Sequence, residues 1–247
     1  MDVAFVIPAH NEEALLGDCL KSVLEEIDRS ALCSRAEVVV VDNASTDGTS
    51  AVAGAFDRVK VVLETRKGLG YARSAGFENS TGLYVANIDA DTIVPPGWLD
   101  TALSEFKKDE GLVCVSGPYI YHDLPWTSRA ITEGFYWLTK AIYLINRYVL
   151  KVGSVVQGGN FVFRRDAWLK AGGYNQSITF YGEDTDIAVR LSRVGGVKWT
   201  FKLRMLTSGR RLQKQGVVRT GLTYTLNFFA VTFRGKPVTS DYTDYRD

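Results

Sequence analysis

Short apolar runs rich in β-branched residues recur through the first half of the chain and alternate with stretches of helical periodicity. The runs cover residues 3–7, 37–41, 59–63, 83–88 and 112–117. One helical face is formed by Ala14, Leu15, Cys19, Leu20, Val23, Leu24 and Ile27. The runs are continuous rather than alternating, which is typical of strands covered on both faces. The pattern predicts the α/β class, with a doubly wound, mostly parallel sheet and helices on both faces.

The regular alternation ends after residue 117. A long helix is predicted around 128–150, followed by the segment SVVQGGNFVFRR at 154–165, a helix that opens near Glu183 and a short strand at 197–202. No internal repeat or flexible linker separates the two parts. We interpret residues 1–247 as a single domain. Residues 1–117 form a half of the nucleotide-binding type, and residues 118–247 form a smaller, more variable half.

Composition adds few limits to this picture. The 247 residues are 46% hydrophobic and carry a formal net charge of +1. The chain can therefore bury a large core, and its overall field gives no indication of a nucleic-acid partner. Cys19, Cys33 and Cys114 are scattered without metal-ligand spacing, which predicts reduced thiols and a cytoplasmic protein. The first residues lack the basic and apolar segments of a signal peptide.

Charge is unevenly distributed although its total is near zero. Residues 196–237 contain nine Lys or Arg and no Asp or Glu. Such a segment is either a solvated basic face or a surface for an anionic ligand or an anionic membrane. The apolar stretch 134–150 is interrupted by Lys140 and Arg147 and is shorter than the ~20 residues of a membrane span. It is therefore predicted to be a packed or an interfacial helix.

Polar residues follow the first four predicted strands at the point where each strand ends. They are Pro8 to Glu13, Asp42 to Ser45, Glu64 to Gly70, and Asp89 to Asp91. In open α/β sheets, ligands bind beyond the carboxyl ends of the strands. The sequence therefore predicts a ligand site at this edge of the sheet.

Asp89 and Asp91 end a buried strand with one small residue between them. Strand geometry points both side chains the same way, so their charges repel unless a cation or water lies between them. Two carboxylates at a strand end suit Mg²⁺ or Mn²⁺, which also bind substrate phosphates. The alternative is a solvated loop whose acids cap the helix near Gly97.

Glu183, Asp184 and Asp186 stand at the start of a predicted helix. Acids are favoured there by the helix dipole alone, but one of them could also serve as a general base. Gly68 and Gly70 match the first two glycines of the dinucleotide-binding pattern Gly-x-Gly-x-x-Gly, but Arg73 occupies the position of the third glycine. That pattern also follows the third strand rather than the first, so a dehydrogenase is disfavoured.

The ordered set of segments resembles family 2 glycosyltransferases of the GT-A fold. The matching segments are VIPAHNEE, VVVVDNASTDGT, RKGLGYARSAGFENSTGLYVANIDAD, QGGNFVFRRDAWLKAGGY and YGEDTDIAVRLSRVG, within residues 3–195. The resemblance implies an inverting transferase that uses a nucleotide-diphospho-sugar, UDP favoured, with Mn²⁺ or Mg²⁺. The acceptor would be a saccharide or a lipid-linked molecule.

The resemblance also implies roles for individual residues. Nucleotide-binding residues would be Pro8, Ala9, Glu12, Asp42 beside the base, Lys67, Gly68 and Asp89. Metal ligands would be Asp91 and Asp89, and Gly158, Gly159 and Asn160 would form the wall near the sugar and acceptor. Asp184, in the pair with Glu183, would be the catalytic base.

The chain departs from well-marked subfamilies beyond residue 195. It lacks the Gln-x-x-Arg-Trp motif of processive members, so we expect transfer of one or few sugars. Arg210 and Arg211 are candidate donors to the diphosphate, or part of a solvated basic loop. The helix at 134–150 could rest on anionic lipid at the inner face of the membrane.

Three other functions are considered. A silent nucleotide-binding or scaffold protein would keep the fold without turnover, but the acids at Asp91 and Asp184 argue for chemistry. A nucleotidyltransferase needs a Gly-rich basic loop after strand one, where this chain has PAHNEE. An NAD-dependent dehydrogenase would bind nicotinamide without a metal.

Overall fold

The chain folds around a sheet whose strands match the apolar runs of the sequence. The computed structural model describes residues 1–150, 154–176, 178 and 181–239. The strands are β1 (Asp2–Ala9), β2 (Arg35–Asp42), β3 (Val59–Leu63), β4 (Tyr84–Ile88), β5 (Thr92–Ile93), β6 (Leu112–Ser116), β7 (Tyr119–Tyr121), β8 (Asn160–Arg164), β9 (Gly196–Trp199) and β10 (Met205–Thr207). The five runs of the first half thus fall on β1, β2, β3, β4 and β6.

Helices connect these strands and cover both faces of the sheet. They are α1 (Leu16–Arg29), α2 (Thr49–Gly54), α3 (Leu69–Glu78), α4 (Trp98–Lys108), α5 (Trp126–Leu144), α6 (Arg165–Lys170), α7 (Glu183–Ser192), α8 (Arg210–Gln215) and α9 (Val217–Arg234). A π-helical segment, Ile145–Leu150, continues α5. The predicted long helix at 128–150 is therefore present, whereas α6, α8 and α9 were not predicted. The predicted strand at 197–202 ends at Trp199, and a 3₁₀ turn follows.

The central sheet has the order β3-β2-β1-β4-β8-β6-β9. β8 runs antiparallel to both of its neighbours, β4 and β6, and the other pairs are parallel. The α/β class and the mostly parallel, doubly wound sheet are confirmed. β8 and β9 belong to the second half of the sequence, so the boundary at residue 117 does not divide the sheet. A second, three-stranded sheet has the order β5-β10-β7.

The core lies on both faces of the central sheet because successive strand residues point to opposite sides. Val3, Phe5 and Ile7 of β1 pack in the cluster that contains α1 and α4, whereas Val6 packs in the cluster of α6 and α7. Continuous apolar strands are thus explained by two covered faces. Among the described residues, no helix combines the length and apolarity needed to cross a membrane.

Asn160, at the start of β8, joins the two sheets through hydrogen bonds. Its fully buried Nδ2 lies 2.9 Å from the carbonyl oxygen of Gly117, 3.2 Å from that of Pro118 and 2.8 Å from that of Leu203. Its Oδ1 accepts a hydrogen bond from Trp98 Nε1 at 3.0 Å. A single amide therefore satisfies buried groups before β7 and before β10.

We expect Asn160→Ala to lower the free energy of unfolding by about 2–4 kcal/mol, since buried carbonyls and an indole N–H lose their partner. Urea denaturation measures the change. Asn79→Ala is the matched control, because the exposed Asn79 side chain donates to one carbonyl of its own helix. A loss no larger than that of the control would contradict this role of Asn160.

Candidate active site

A cavity of about 360 Å³ opens beyond the carboxyl ends of β1 and β4. Polar side chains from distant parts of the chain line it together. Those predicted from the sequence are Pro8, Glu12, Asp89, Asp91, Gly158, Glu183, Asp184, Arg210 and Arg211. The strand-end acids and the acids at the start of α7 therefore share one site.

A buried arginine links these two groups of acids. Arg73 of α3 lies 2.5 Å from Glu183 Oε2 through Nη1 and 3.3 Å from Asp89 Oδ1 through Nη2. Burial disfavours the charge on Arg73, but Glu183 and Asp89 outweigh it and raise its pKa. A cation is thus fixed where like charges would otherwise repel.

Glu183 is as deeply buried as its partner. Burial raises the pKa of Glu183 to about 7, although Arg73 opposes the shift. Glu183 Oε1 and Arg73 Nε find no hydrogen-bond partner among the described residues. The ion pair therefore carries a desolvation cost that further hydrogen bonds only partly offset.

Asp89 is held on its other side by Tyr119 of β7. The Tyr119 hydroxyl lies 2.9 Å from Asp89 Oδ2 and 2.6 Å from the carbonyl oxygen of Gly158. Burial, and then the charge of Asp89, raise the pKa of Tyr119, so the hydroxyl keeps its proton and can donate. At Gly159, φ is +74° and a Cβ would lie 2.0 Å from the Asp89 carboxyl carbon, so this position requires glycine.

Asp91 is paired with an arginine from the second half of the chain. Arg210 Nη2 contacts Asp91 Oδ2 at 3.1 Å and also contacts Glu12 Oε1. Burial opposes the charge on Arg210, but Asp91 and Glu12 together raise its pKa. The side chain of Arg210 remains 26% exposed and that of Asp91 19% exposed, so this pair faces the cavity.

The donor atoms at this edge fit a hard divalent cation bound together with phosphate. Among the described residues, no three or more His, Cys, Asp or Glu are grouped as a metal site. Mg²⁺ usually keeps several waters and takes one or two carboxylates plus substrate phosphates. Asp89 and Asp91 supply two such carboxylates, and the Asp89 side chain is 34% exposed.

Asp184 is an acid of α7 that lines the cavity and, among the described residues, has no arginine in hydrogen-bond contact, unlike Glu183. Gly182 precedes α7 with φ at +84°, and a Cβ added to it would lie 2.5 Å from the Val231 side chain of α9. The start of α7 is therefore packed closely against α9. Asp184 Oδ1 accepts a hydrogen bond from the Thr185 backbone N–H at 2.8 Å. Burial raises the pKa of Asp184. A carboxylate with a raised pKa is a stronger base once it is ionised.

Several residues with predicted roles do not line this cavity. They are Ala9, Asp42, Lys67, Gly68, Gly159 and Asn160. The sequence implied that Asn160 lies in the wall near the sugar, but its side chain is fully buried and holds the backbone of both sheets. Gly159 acts beneath the wall, where its missing side chain makes room for Asp89.

Asn43 organises the loops that carry Asp42, Lys67 and Gly68. Its Nδ2 donates to the carbonyl oxygens of Glu64 at 3.1 Å and Arg66 at 2.8 Å, and its Oδ1 accepts from Gly68 N–H at 2.8 Å. The ends of β2 and β3 are thereby fixed side by side. The nucleoside roles of Asp42, Lys67 and Gly68 remain predictions.

Arg73, Tyr119 and Asn43 were not predicted as site residues. Arg73 was noticed only as a departure from a glycine pattern. The signal it offered was a cation in the third βα segment, near strand ends that carry acids. Tyr119 gave no local signal, because its partners Asp89 and Gly158 are 30 and 39 residues away.

Comparison with models of protein families assigns the chain to a family. The model described as glycosyl transferase family 2 matches residues 4–170, more than half of the sequence. The chain therefore belongs to glycosyl transferase family 2, as the ordered motifs indicated.

Curated relatives are considerably longer than this chain. Chondroitin synthase of Escherichia coli is 28% identical over 206 residues, which are 81% of this chain and 28% of that protein. Glucosyl-dolichyl phosphate glucuronosyltransferase of Haloferax volcanii is 29% identical over 140 residues, which are 52% of this chain and 44% of that protein. The chain thus spans less than half the length of either relative.

Solved structures share the fold. Glucosyl-3-phosphoglycerate synthase from Mycobacterium tuberculosis, in complex with Mn²⁺, UDP-glucose and phosphoglyceric acid, matches with a TM-score of 0.63 at 22% identity. The match covers 96% of this chain and 81% of that one. S. aureus TarS 1–349 matches with a TM-score of 0.65 at 14% identity, over 95% and 73% of the two chains. The predicted GT-A type of fold is confirmed.

Replacement of Arg73 tests whether its charge holds the site together. We expect Arg73→Met to lower the free energy of unfolding by about 3–5 kcal/mol, because two acids lose their buried partner. Chemical denaturation of purified protein measures this loss.

Arg58→Met is the matched control, since Arg58 pairs with Asp28 where both side chains are more than half exposed. Its loss should stay below about 1 kcal/mol. Similar losses in the two variants would show that Arg73 is no more than a surface-type ion pair.

Proposed function

We propose that this chain is an inverting, metal-dependent glycosyltransferase that moves a sugar from a nucleotide diphosphate to a hydroxyl group. The observation that carries the proposal is the meeting of two acid groups in one cavity. Asp89 and Asp91 come from the end of β4, Glu183 and Asp184 come from the start of α7, and Arg73 bridges the two groups. The acids at the end of β4 suit the binding of a divalent metal with a diphosphate, and the acids at the start of α7 supply a base.

The donor is proposed to lie on the first half of the chain. Pro8 and Glu12 line the cavity beside Asp91, and the Asn43-organised loops with Asp42, Lys67 and Gly68 would receive the nucleoside. UDP is the favoured nucleotide, and the synthase from M. tuberculosis described above was solved with UDP-glucose and Mn²⁺.

Asp91 and Asp89 would hold Mn²⁺ or Mg²⁺. The ion would neutralise charge that builds up on the departing diphosphate. Arg210 and Arg211 line the same cavity, and a guanidinium donates two parallel hydrogen bonds to phosphate oxygens. Arg210 would exchange its contact with Asp91 for one with the diphosphate when the donor binds.

Asp184 is proposed as the base that receives the proton of the acceptor hydroxyl. Among the acids of α7 that line the cavity, Glu183 is occupied by Arg73, whereas Asp184 faces Gly158 across the cavity wall. One base and an in-line attack by the acceptor oxygen give inversion at the anomeric carbon. The absence of the processive motif in the sequence supports transfer of one or few sugars.

The acceptor class is a saccharide or a lipid-linked molecule. The names of two relatives, chondroitin synthase and glucosyl-dolichyl phosphate glucuronosyltransferase, correspond to these two kinds of acceptor. We propose a cytoplasmic enzyme in peripheral contact with an anionic membrane, on the strength of the basic segment 196–237.

Removal of the proposed base should greatly slow transfer but leave binding of the donor nucleotide intact. We expect Asp184→Asn to lower kcat by about 100-fold or more while nucleotide affinity is retained. Asp186→Asn is the matched control, because Asp186 lies on the same helix, pairs with Arg190 and does not line the cavity. Equal turnover in Asp184→Asn and wild type would refute the assignment of the base.

The pH profile provides a second check on the same residue. Burial raises the pKa of Asp184, and a general base acts only when it has lost its proton. The rate constant kcat/KM should therefore rise with pH along an acidic limb whose midpoint lies above the ordinary range of an aspartate, ~4. A profile that stays flat down to pH 4 would count against Asp184.

Calorimetry of nucleotide binding tests the donor site. UDP, GDP and dTDP are titrated with and without Mn²⁺, and we expect one of them to bind in a metal-dependent manner. Asp91→Ala should weaken that binding at least tenfold, whereas Asp18→Ala, on the exposed surface of α1, should not. If no nucleotide binds with or without Mn²⁺, the proposed donor site and the proposed transfer are both contradicted.

A further inference from the structure

Exposed apolar side chains are concentrated on two helices. Of nineteen large apolar side chains exposed among the described residues, nine lie within residues 126–150 and six on α9. They are Trp126, Ile131, Trp137, Leu138, Leu144, Ile145, Tyr148, Val149 and Leu150, and Val218, Leu222, Tyr224, Leu226, Phe229 and Phe233. We call this surface the α5–α9 face. Helices α5 and α9 pack against each other, and concentrations of exposed apolar side chains mark sites of interaction with a partner or a membrane.

Positive charges predominate on the helices of the α5–α9 face. Lys140 of α5 and Arg147 of the π-helical segment are half-buried and also donate to the carbonyl oxygens of Trp199 and Val197. Arg219 and Arg234 lie on α9, and the sequence contains no Asp or Glu from residue 187 to residue 240. The acid within residues 126–150 is Glu133, whose Oε1 is paired with Arg204 Nη2 at 2.7 Å. Apolar side chains flanked by cations suit anionic lipid, since each nearby Lys or Arg adds roughly 1 kcal/mol of attraction.

The cavity of the candidate active site continues between α5 and α9. The apolar residues of this part, which we call the apolar arm, are Phe135, Tyr136 and Ile142 of α5, Val217 and Phe228 of α9, and Val155 and Val156. Threonines of both helices, Thr132, Thr139, Thr220 and Thr225, line the cavity beside them. The two helices approach closely where a Cβ on Gly221 would lie 2.7 Å from the Phe135 ring. The cavity that holds the acids is thus bounded by the same two helices that carry the α5–α9 face on their outer side.

We propose that the α5–α9 face docks on an anionic bilayer and that the acceptor is a lipid-linked molecule whose chain occupies the apolar arm. The docking follows from the surface, whereas the role of the lipid as acceptor rests on the proposed function. In that reaction the lipid-linked hydroxyl gives its proton to Asp184 and forms the new glycosidic bond. The bond from the sugar to the diphosphate breaks, and the diphosphate leaves with its electron pair.

A second copy of the chain is the less suitable occupant of this face. A two-fold contact through α5 and α9 would bring identical cationic flanks together, and the acids needed to neutralise them are absent from residues 187–240. Anionic headgroups supply that neutralisation directly.

Vesicle flotation tests the docking without any nucleotide. We expect binding to vesicles of phosphatidylcholine and phosphatidylglycerol at 3:1, weakening as salt rises, and little binding to phosphatidylcholine alone. The double variant Leu226→Glu/Phe233→Glu should bind at least tenfold more weakly. Leu83→Glu/Leu169→Glu is the matched control, because all four side chains are 61–64% exposed and only the first pair lies on the α5–α9 face.

Two results would overturn the docking. One is an absence of flotation with a concentration-dependent dimer in sedimentation, which would assign the face to a second copy. The other is an equal loss of flotation in the two double variants, which would show no preference for the α5–α9 face.

Binding of an alkyl chain tests the apolar arm separately. Octyl β-glucoside below its micelle concentration should bind at least tenfold more tightly than methyl β-glucoside, as measured by calorimetry. Phe228→Ser, inside the arm, should remove this gain, whereas Leu226→Glu/Phe233→Glu, on the outer face, should retain it.

Equal binding of the two glucosides, or a gain that persists in Phe228→Ser, would exclude a chain in the arm. Neither flotation nor glucoside binding involves the donor or Asp184. Failure of the membrane proposal is therefore distinguishable from failure of the proposed transfer, which nucleotide calorimetry and Asp184→Asn address.

Discussion

A single buried guanidinium holds the candidate active site together. Arg73 stands between an acid that ends β4 and an acid that begins α7, more than 90 residues further along the chain. Without a cation there, Asp89 and Glu183 would face each other across a poorly solvated gap. Arg73 thereby holds the acids at the end of β4 next to those at the start of α7. The chemistry proposed for this chain depends on this interaction, which fixes the proposed metal ligand Asp89.

Much of the fold follows from local pattern. Apolar runs of five or six residues cannot be amphipathic helices, and β1, β2, β3, β4 and β6 lie where they occur. The antiparallel direction of β8 could not be predicted, because direction is set by which edges of the sheet remain open. Helix α9 was also missed, since large apolar side chains lie on its exposed face while Thr220 and Asn227 are among its buried residues. This reverses the pattern on which prediction relies.

The site was predictable where its polar and acidic residues directly follow predicted strands. Asp89, Asp91 and Asp184 were singled out because acids at the end of a buried strand or at a helix start are candidates for chemistry, and all three line one cavity. The burial of Asn160 was not predicted, because a short polar motif does not reveal burial. The Asn160 amide nitrogen donates to backbone carbonyls that lie near it only once β7 and β10 have formed. Long-range hydrogen bonding, rather than residue type, decides such cases.

The two arginines of the site differ in how firmly they can be held. Arg73 is enclosed by the fold, and its acids cannot exchange it for water at small cost. Arg210 is a quarter exposed and contacts Asp91 and Glu12 at the open edge of the cavity. An anionic ligand there competes for a guanidinium that solvent already reaches. The enclosed cation fixes the geometry of the acids, and the accessible one belongs to the part of the site that a ligand can rearrange.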